Sequence, residues 1–155
     1  MSRMHGKAWG DRYTCLAKEI STWSKDPSTQ VGAVVIGNNG EVLSQGYNGF
    51  PRGIKDTAAR LKDRERKYKL VVHAEMNAIY NAGLNGVSLK GSTIYVYGCP
   101  ICNECAKGIV QVGIDKVIAV RPKGVDLERW DESIKDAKAL FKEAEVEYLI
   151  DEEKD

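Results

Sequence analysis

From Val71 onward, runs with helical patterning alternate with runs rich in β-branched and aromatic residues, and this alternation limits the possible folds more than any other feature. A helix is expected from His73 to about Ala82, a strand over Thr93–Tyr97, a helix from Cys102 to Val112 and a strand from Lys116 to Val120. A last helix near Trp130 to Glu143 and a strand from Val146 to Ile150 complete the series. Strands that alternate with helices imply a sheet layered with helices, its later strands parallel through right-handed crossovers.

Ahead of that region, Trp9, Tyr13, Leu16, Ile20 and Trp23 recur at spacings of four and three, so one face of a first helix is expected to be buried, with a stop at Asp26-Pro27. Val31 to Ile36 is β-rich, Asn39-Gly40 is a strong turn signal, and Glu41 to Tyr47 can return as the antiparallel partner. The stretch Gly46-Tyr47-Asn48-Gly49-Phe50-Pro51-Arg52-Gly53 carries too many glycines for regular structure. It is either an ordinary loop or one whose backbone amides approach a ligand closely. Thr57 to Lys69 has alternating charges and few apolar anchors, which suits a solvated helix or a mobile excursion. No linker or repeat divides the 155 residues, so 1–155 reads as one domain, with the acidic end Asp151 to Asp155 expected to fray.

Two of the expected helices open on residues suited to a metal. His73-Ala74-Glu75 begins one and Cys102-Asn103-Glu104-Cys105 the other. Residues three apart on a helix share a face, so both sulfurs can reach one ion while His73 adds a third ligand from the neighbouring helix. Such a donor set suits zinc and leaves one tetrahedral position open for a water. Both cysteines sit at a helix N-terminus, where the macrodipole favours thiolate. Two thiolates offset the charge of the ion, however, so the metal acidifies its water less than one with neutral ligands, and a base is needed nearby. Glu75 can lean over the metal without ligating it. It would take a proton from the water, deliver it to N3 of a cytosine ring attacked at C4, and then protonate the departing amine.

The alternative is a zinc-stabilised knuckle without catalysis, closed by four ligands. Cys99 could be the fourth, since Cys99 and Cys102 are also spaced as C-x-x-C, or it is a small buried hydrophobe before Pro100. Glu104 is either a helix N-terminal charge or a contact to the ring. His5, the other histidine, lies near the terminus, so no second metal site is expected.

Composition narrows the class of partner. With 43% hydrophobic and 29% charged residues the chain can fill a core, which argues against global disorder. Lysine and arginine number 23 against 22 acidic residues, a net charge of +1, without the overall footprint of a polynucleotide binder. The N-terminus lacks the apolar run of a signal peptide and no stretch approaches the ~20 apolar residues of a membrane span, so a soluble, cytoplasmic protein with no membrane partner is expected. Three of the four cysteines fall within Cys99 to Cys105, and in a reducing cytosol that clustering favours metal over disulfide.

His73-Ala74-Glu75-Met76-Asn77-Ala78-Ile79 together with Cys102-Asn103-Glu104-Cys105-Ala106-Lys107 resembles the zinc cytidine/deoxycytidylate deaminase superfamily. Ser24 to Ala33 and Gly46 to Gly53 make the resemblance narrower, toward its deoxycytidylate (dCMP) deaminases, over roughly residues 8 to 150. One departure is visible: the family pattern puts proline directly before the first ligand cysteine, whereas Ile101 follows Pro100 here. The resemblance implies an α/β/α sandwich around a mixed five-stranded sheet, a homo-oligomer that is commonly a hexamer, and activation by dCTP and inhibition by dTTP, each with Mg²⁺. It also implies that Asn48 contacts the deoxyribose, that Ala74 borders the substrate, and that Gly46, Tyr47, Asn48, Gly49, Arg52 and Gly53 serve the effector site. The phosphate of dCMP would be met near Ser24 and Lys25, with Arg121 or Lys123 as further candidates. Three rivals remain. A tRNA adenosine or polynucleotide cytosine deaminase would draw on the local excess Lys62, Arg64, Arg66, Lys67 and Lys69. The others are a free-nucleoside cytidine deaminase and a non-catalytic zinc-binding interaction module.

Overall fold

The computed structural model describes residues 6–125, 128 and 131–154; His5 and Trp130 lie outside them. Six helices and five strands are arranged among these residues: α1 (Lys7–Ser21), β1 (Gly32–Ile36), β2 (Val42–Tyr47), α2 (Ala58–Lys62), α3 (Arg64–Leu70), α4 (Ala74–Asn85), β3 (Thr93–Tyr97), α5 (Asn103–Gln111), β4 (Lys116–Arg121), α6 (Asp131–Glu143) and β5 (Glu147–Glu152). The strands form one sheet in the order β2-β1-β3-β4-β5. β1 is antiparallel to both β2 and β3, while β3, β4 and β5 run parallel, so the sheet is mixed.

Alternation along the strands sorts the core into two faces. Ala33, Val35, Ile94, Val96, Val117 and Ala119 pack under α4, α5 and α6. Val34, Ile36, Tyr95, Tyr97 and Val120 pack against Tyr13, Ala17 and Ile20 of α1. Side chains two apart on a strand share a face, so both sets follow from the period of the pleat. The result is a three-layer α/β/α sandwich.

Three expectations need correction. Trp9, Leu16 and Trp23 do not share the buried face of the first helix: Trp9 and Trp23 are about half exposed, and α1 ends before Trp23. The helix rests on Tyr13, Ala17, Ile20 and Ser21 instead, because small residues let it approach Gly32, where an added Cβ would lie 2.1 Å from the Ala17 carbonyl oxygen. Gly46 and Tyr47, counted both in the expected return strand and in the glycine-rich stretch, belong to the strand, so the irregular stretch begins only after Tyr47. A Cβ on Gly46 would lie 2.4 Å from the Ala78 amide nitrogen, so glycine here seats α4 on the sheet. Finally, the acidic end is ordered through Asp151 and Glu152, which extend β5 beside Val120 and Arg121, and Glu153 is held by Lys18 and Tyr97.

Candidate functional site

The ends of α4 and α5 meet on one side of the sheet. His73 is the N-cap of α4 and Cys102 the N-cap of α5, so each helix starts one residue later than its motif. The Cys102 sulfur accepts the Cys105 amide at 3.4 Å, the capping interaction that satisfies an otherwise open helix donor. His73 Nδ1 lies 3.4 Å from Cys102 Sγ and 3.4 Å from Cys105 Sγ. For a tetrahedral zinc with Zn–S near 2.3 Å and Zn–N near 2.05 Å, the sulfur–nitrogen separation is roughly 3.5 Å. The three donors therefore fit zinc. Among the described residues they form the one cluster of His, Cys, Asp and Glu with this proximity, and Cys99 is not in it.

Electrostatics at the cluster follow from burial and shared protons. The Cys102 thiol is lowered to about 4, first by hydrogen bonding with Cys105 and also by His73, while Cys105 is raised by that same bond and by burial. The two sulfurs hydrogen-bond one another, and a dication bound between them would displace their protons. His73 is raised chiefly by its hydrogen bond to Cys102. Glu75 is fully buried in the first turn of α4, and desolvation raises its carboxyl above the usual range.

A cavity of about 640 Å³ opens from the cluster. Its lining has two parts: a floor from the cluster side, with His73, Ala74, Glu75 and Cys102 joined by Asn48, Cys99 and Pro100, and a wall from the loop 26–29 and the segment 57–69, with Asp26 to Thr29, Lys62, Arg64, Lys67 and Tyr68. The charged segment 57–69 is therefore neither one solvated helix nor a mobile excursion. It forms two short helices, capped by Thr57 and Asp63, and Lys67 is buried against Asp26 at 3.2 Å. Lys69 pairs with Glu65, so the five cations of this stretch do not make one free track for a polynucleotide.

The remaining candidates are placed as follows. Asn48 borders the cavity, while its amide accepts from the Val31 nitrogen at 2.8 Å and donates to the Thr29 carbonyl at 2.9 Å. Ser24 is buried and donates to the Asn48 carbonyl, and Lys25 pairs with Asp56 beside a smaller cavity of about 150 Å³. That cavity also takes in Tyr47, Asn48, Gly49 and Phe50. Gly49 bridges to Val72, Arg52 bonds Asn81, and Gly53 has a positive φ of 83°. Arg121 pairs with Glu152 and bonds the Val125 carbonyl, and neither Arg121 nor Lys123 borders the large cavity. Glu104 is exposed and pairs with Lys107, which makes it a charge of the helix surface. Sequence reasoning missed Tyr148, whose hydroxyl accepts the Ile101 amide at 3.1 Å while Ile101 fills the core. The extra residue before Cys102 thus ties the start of α5 to β5.

A closed structural knuckle would need a fourth donor, but among the described residues the cluster has three, and His73 and Cys102 line a cavity together with the buried Glu75. This arrangement fits the class of zinc-dependent hydrolytic deaminases. The family model described as "Cytidine and deoxycytidylate deaminase zinc-binding region" matches residues 7–121, and the chain belongs to that family. It is 42% identical over 139 residues, 90% of each chain, to a protein described as an uncharacterized deaminase in the luxG 3' region of Aliivibrio fischeri. With the deoxycytidylate deaminase of Mus musculus it shares 40% identity over 147 residues, 90% of this chain and 78% of the mouse protein. The crystal structure of the dCMP deaminase of cyanophage S-TIM5 in complex with dCMP and dUMP superposes with a TM-score of 0.75 at 25% identity, over 95% of this chain and 99% of that one.

Proposed function

We propose that this protein hydrolyses dCMP to dUMP and ammonia. The observation that carries the reading is that Glu75, His73 and Cys102 line a cavity large enough for a nucleotide, with Cys105 completing the donor cluster behind them. The likeness to the phage enzyme crystallised with dCMP and dUMP, and to the mouse deoxycytidylate deaminase, points to the monophosphate.

His73, Cys102 and Cys105 would hold the zinc, which would supply Lewis acidity toward an attacking water, tempered by the two thiolates. The protein's own part is proton transfer and positioning. Glu75, as the general base, accepts a proton from the attacking water and passes it to N3 as the bond to C4 forms. The second proton of that water then travels by the same carboxyl to the departing amine, so that one water is consumed and one ammonia leaves. Burial serves this cycle, because a raised carboxyl gains a proton more readily than an exposed one. Asn48 and the Ala74 backbone border the space assigned to the sugar and ring.

The regulatory part of the reading is that dCTP activates and dTTP inhibits, each with Mg²⁺, at the loop through Arg52. Its support is the resemblance of Gly46 to Gly53, together with the small cavity that shares Asp26, Asn48, Lys67 and Val71 with the large one. A homo-oligomer is the expected assembly and would cover exposed Trp9, Tyr80 and Leu84. No helix of the described residues is long and apolar enough to cross a membrane. Ultraviolet assays of cytidine, deoxycytidine, dCMP and dCTP, each with and without dTTP and Mg²⁺, test the whole reading. Preference for dCMP with a dTTP-dependent rise in KM is expected; preference for cytidine would overturn the substrate, and an unshifted curve the regulation.

A further inference from the structure

The large cavity is asymmetric in charge. At its floor stand the metal donors and Glu75. On its wall are four more charged groups, and two of them cancel. Lys67 and Asp26 pair at 3.2 Å with side chains only 9% exposed each, and the Asp26 carboxylate also accepts the Ser28 and Thr29 amides at 2.8 and 3.1 Å. Lys62, at the end of α2, and Arg64, at the start of α3, are left over. Among the described residues neither pairs with a carboxylate, although Lys18, Lys25, Lys69, Lys107 and Lys116 all do. The Arg64 guanidinium instead lies 5.4 Å over the Tyr68 ring and donates from Nε to the Tyr68 hydroxyl at 3.0 Å. Those contacts orient it without neutralising it.

Two cations on short flexible segments would ordinarily be solvated surface groups. Here the segments are fixed. Thr57 and Asp63 cap α2 and α3 through the Arg60 and Arg66 amides, and the buried Lys67–Asp26 pair fastens α3 to the loop 26–29. The wall thus presents two uncompensated positive charges to the same cavity that His73, Glu75 and Cys102 line. A cleft lined by one sign of charge concentrates ligands of the other.

We propose that Lys62 and Arg64 are specificity-determining residues that receive the phosphate group of the nucleotide, with the Lys67–Asp26 pair as the positioning element that holds them there. The assignment rests on the deaminase reading for its choice of ligand. It differs from the placement at Ser24 and Lys25, whose polar groups are engaged with Asn48 and Asp56. Phosphate is matched by a planar guanidinium and a neighbouring ammonium, which together discriminate a nucleotide from a nucleoside.

The experiment is calorimetric titration of the zinc-loaded protein with dUMP and with deoxyuridine, alongside kcat and KM for dCMP and deoxycytidine. Wild type is compared with Lys62→Ala, Arg64→Ala, Arg64→Lys and the double alanine variant. The expected result is a loss of dUMP affinity of about 10-fold per alanine substitution, the size of one charge-assisted contact. Deoxyuridine affinity should change far less, KM for dCMP should rise more than kcat falls, and Arg64→Lys should recover part of the loss. Equal weakening of dUMP and deoxyuridine would overturn the proposal, as would a double variant that binds dUMP like wild type. A wild type that prefers dUMP through these cations yet does not turn over dCMP would refute the catalytic reading and support this one. A short single-stranded DNA that binds more tightly than dUMP, and is lost in the double variant, would replace the phosphate pocket by a polynucleotide track.

Discussion

The metal cluster at the floor of the cavity and the charged wall are built on opposite principles. The cluster uses scarce residue types: a histidine and a cysteine at helix N-caps and a second cysteine in the first turn of α5, with one buried carboxyl beside them. The wall is assembled from lysine, arginine and aspartate, which are abundant on any soluble surface, and it gains meaning only when two short helices fold against the loop 26–29. Function that depends on donor chemistry is carried by individual residues. Function that depends on uncompensated charge is carried by the arrangement. Substitutions should separate the two, with all-or-none effects at the floor and graded ones at the wall.

The sharpest break belongs to the metal donors. Cys105→Ser should reduce bound zinc from one per chain to near none and abolish turnover, because thiolate is the preferred donor and the hydroxyl holds its proton. Cys99→Ser, outside the cluster, should keep its zinc. Elemental analysis of the purified variants is decisive: zinc retained in Cys105→Ser and lost in Cys99→Ser would move the site upstream and dissolve the helix-cap geometry.

Next in size is Glu75→Gln. The amide keeps the shape of the buried side chain but cannot carry a proton, so kcat should fall by about 10²- to 10⁴-fold with zinc retained. Activity within about tenfold of wild type, a barrier change of only ~1.4 kcal/mol, would remove Glu75 from proton transfer.

At the wall, Lys67→Met leaves the Asp26 carboxylate buried and unpaired, a defect worth about 3 kcal/mol and so a drop in Tm of roughly 6–12 °C for a chain of this size. Adding Asp26→Asn should recover much of that loss, since one side-chain oxygen remains to accept the Ser28 and Thr29 amides. Thermal unfolding of the single and double variants measures both effects. A single variant as stable as wild type would mean that the wall is not held by this pair.

The same contrast explains what could be read in advance. The metal motif was legible because histidine and cysteine are rare here and their spacing maps onto helix starts. The strand and helix series was legible from its two periods, since alternation along β1 and β3 sorts residues such as Val34 and Val35 to opposite faces. The antiparallel pairing of β1 with β3 was not, because it joins Gly32 to Tyr97 across β2 and the whole of α2, α3 and α4 and leaves no local trace. The face of α1 was misread because large apolar residues set the pattern, whereas the closest contact is made by Ala17 opposite Gly32. Lys67 looked like one more solvated charge. Its partner Asp26, read as a helix stop, in fact caps the turn through Ser28 and Thr29.

The smallest effect extends the comparison to the other charged segment expected to be loose, the acidic end of the chain. Glu153 accepts from the Tyr97 hydroxyl at 2.7 Å and pairs with Lys18, fastening the end of β5 to β3 and α1. Lys18 first, and then Tyr97, hold the Glu153 carboxyl below its usual value. A depressed carboxyl contributes stability that is present above its unfolded value of about 4.3 and is lost as pH falls through the lower folded value. Glu153→Gln should therefore lower Tm slightly at pH 7, by about 1–3 °C, since the pair is exposed enough to be screened. The gap between wild type and variant should begin to shrink below about pH 4.3 and close as the pH falls through the lower folded value, where the wild-type carboxyl is itself protonated. Zinc loss in acid affects both proteins alike and cancels in the difference. A gap that persists unchanged to pH 3 would show that the contact acts through packing rather than charge, and a gap absent at pH 7 would return this end of the chain to the frayed tail that its composition suggests.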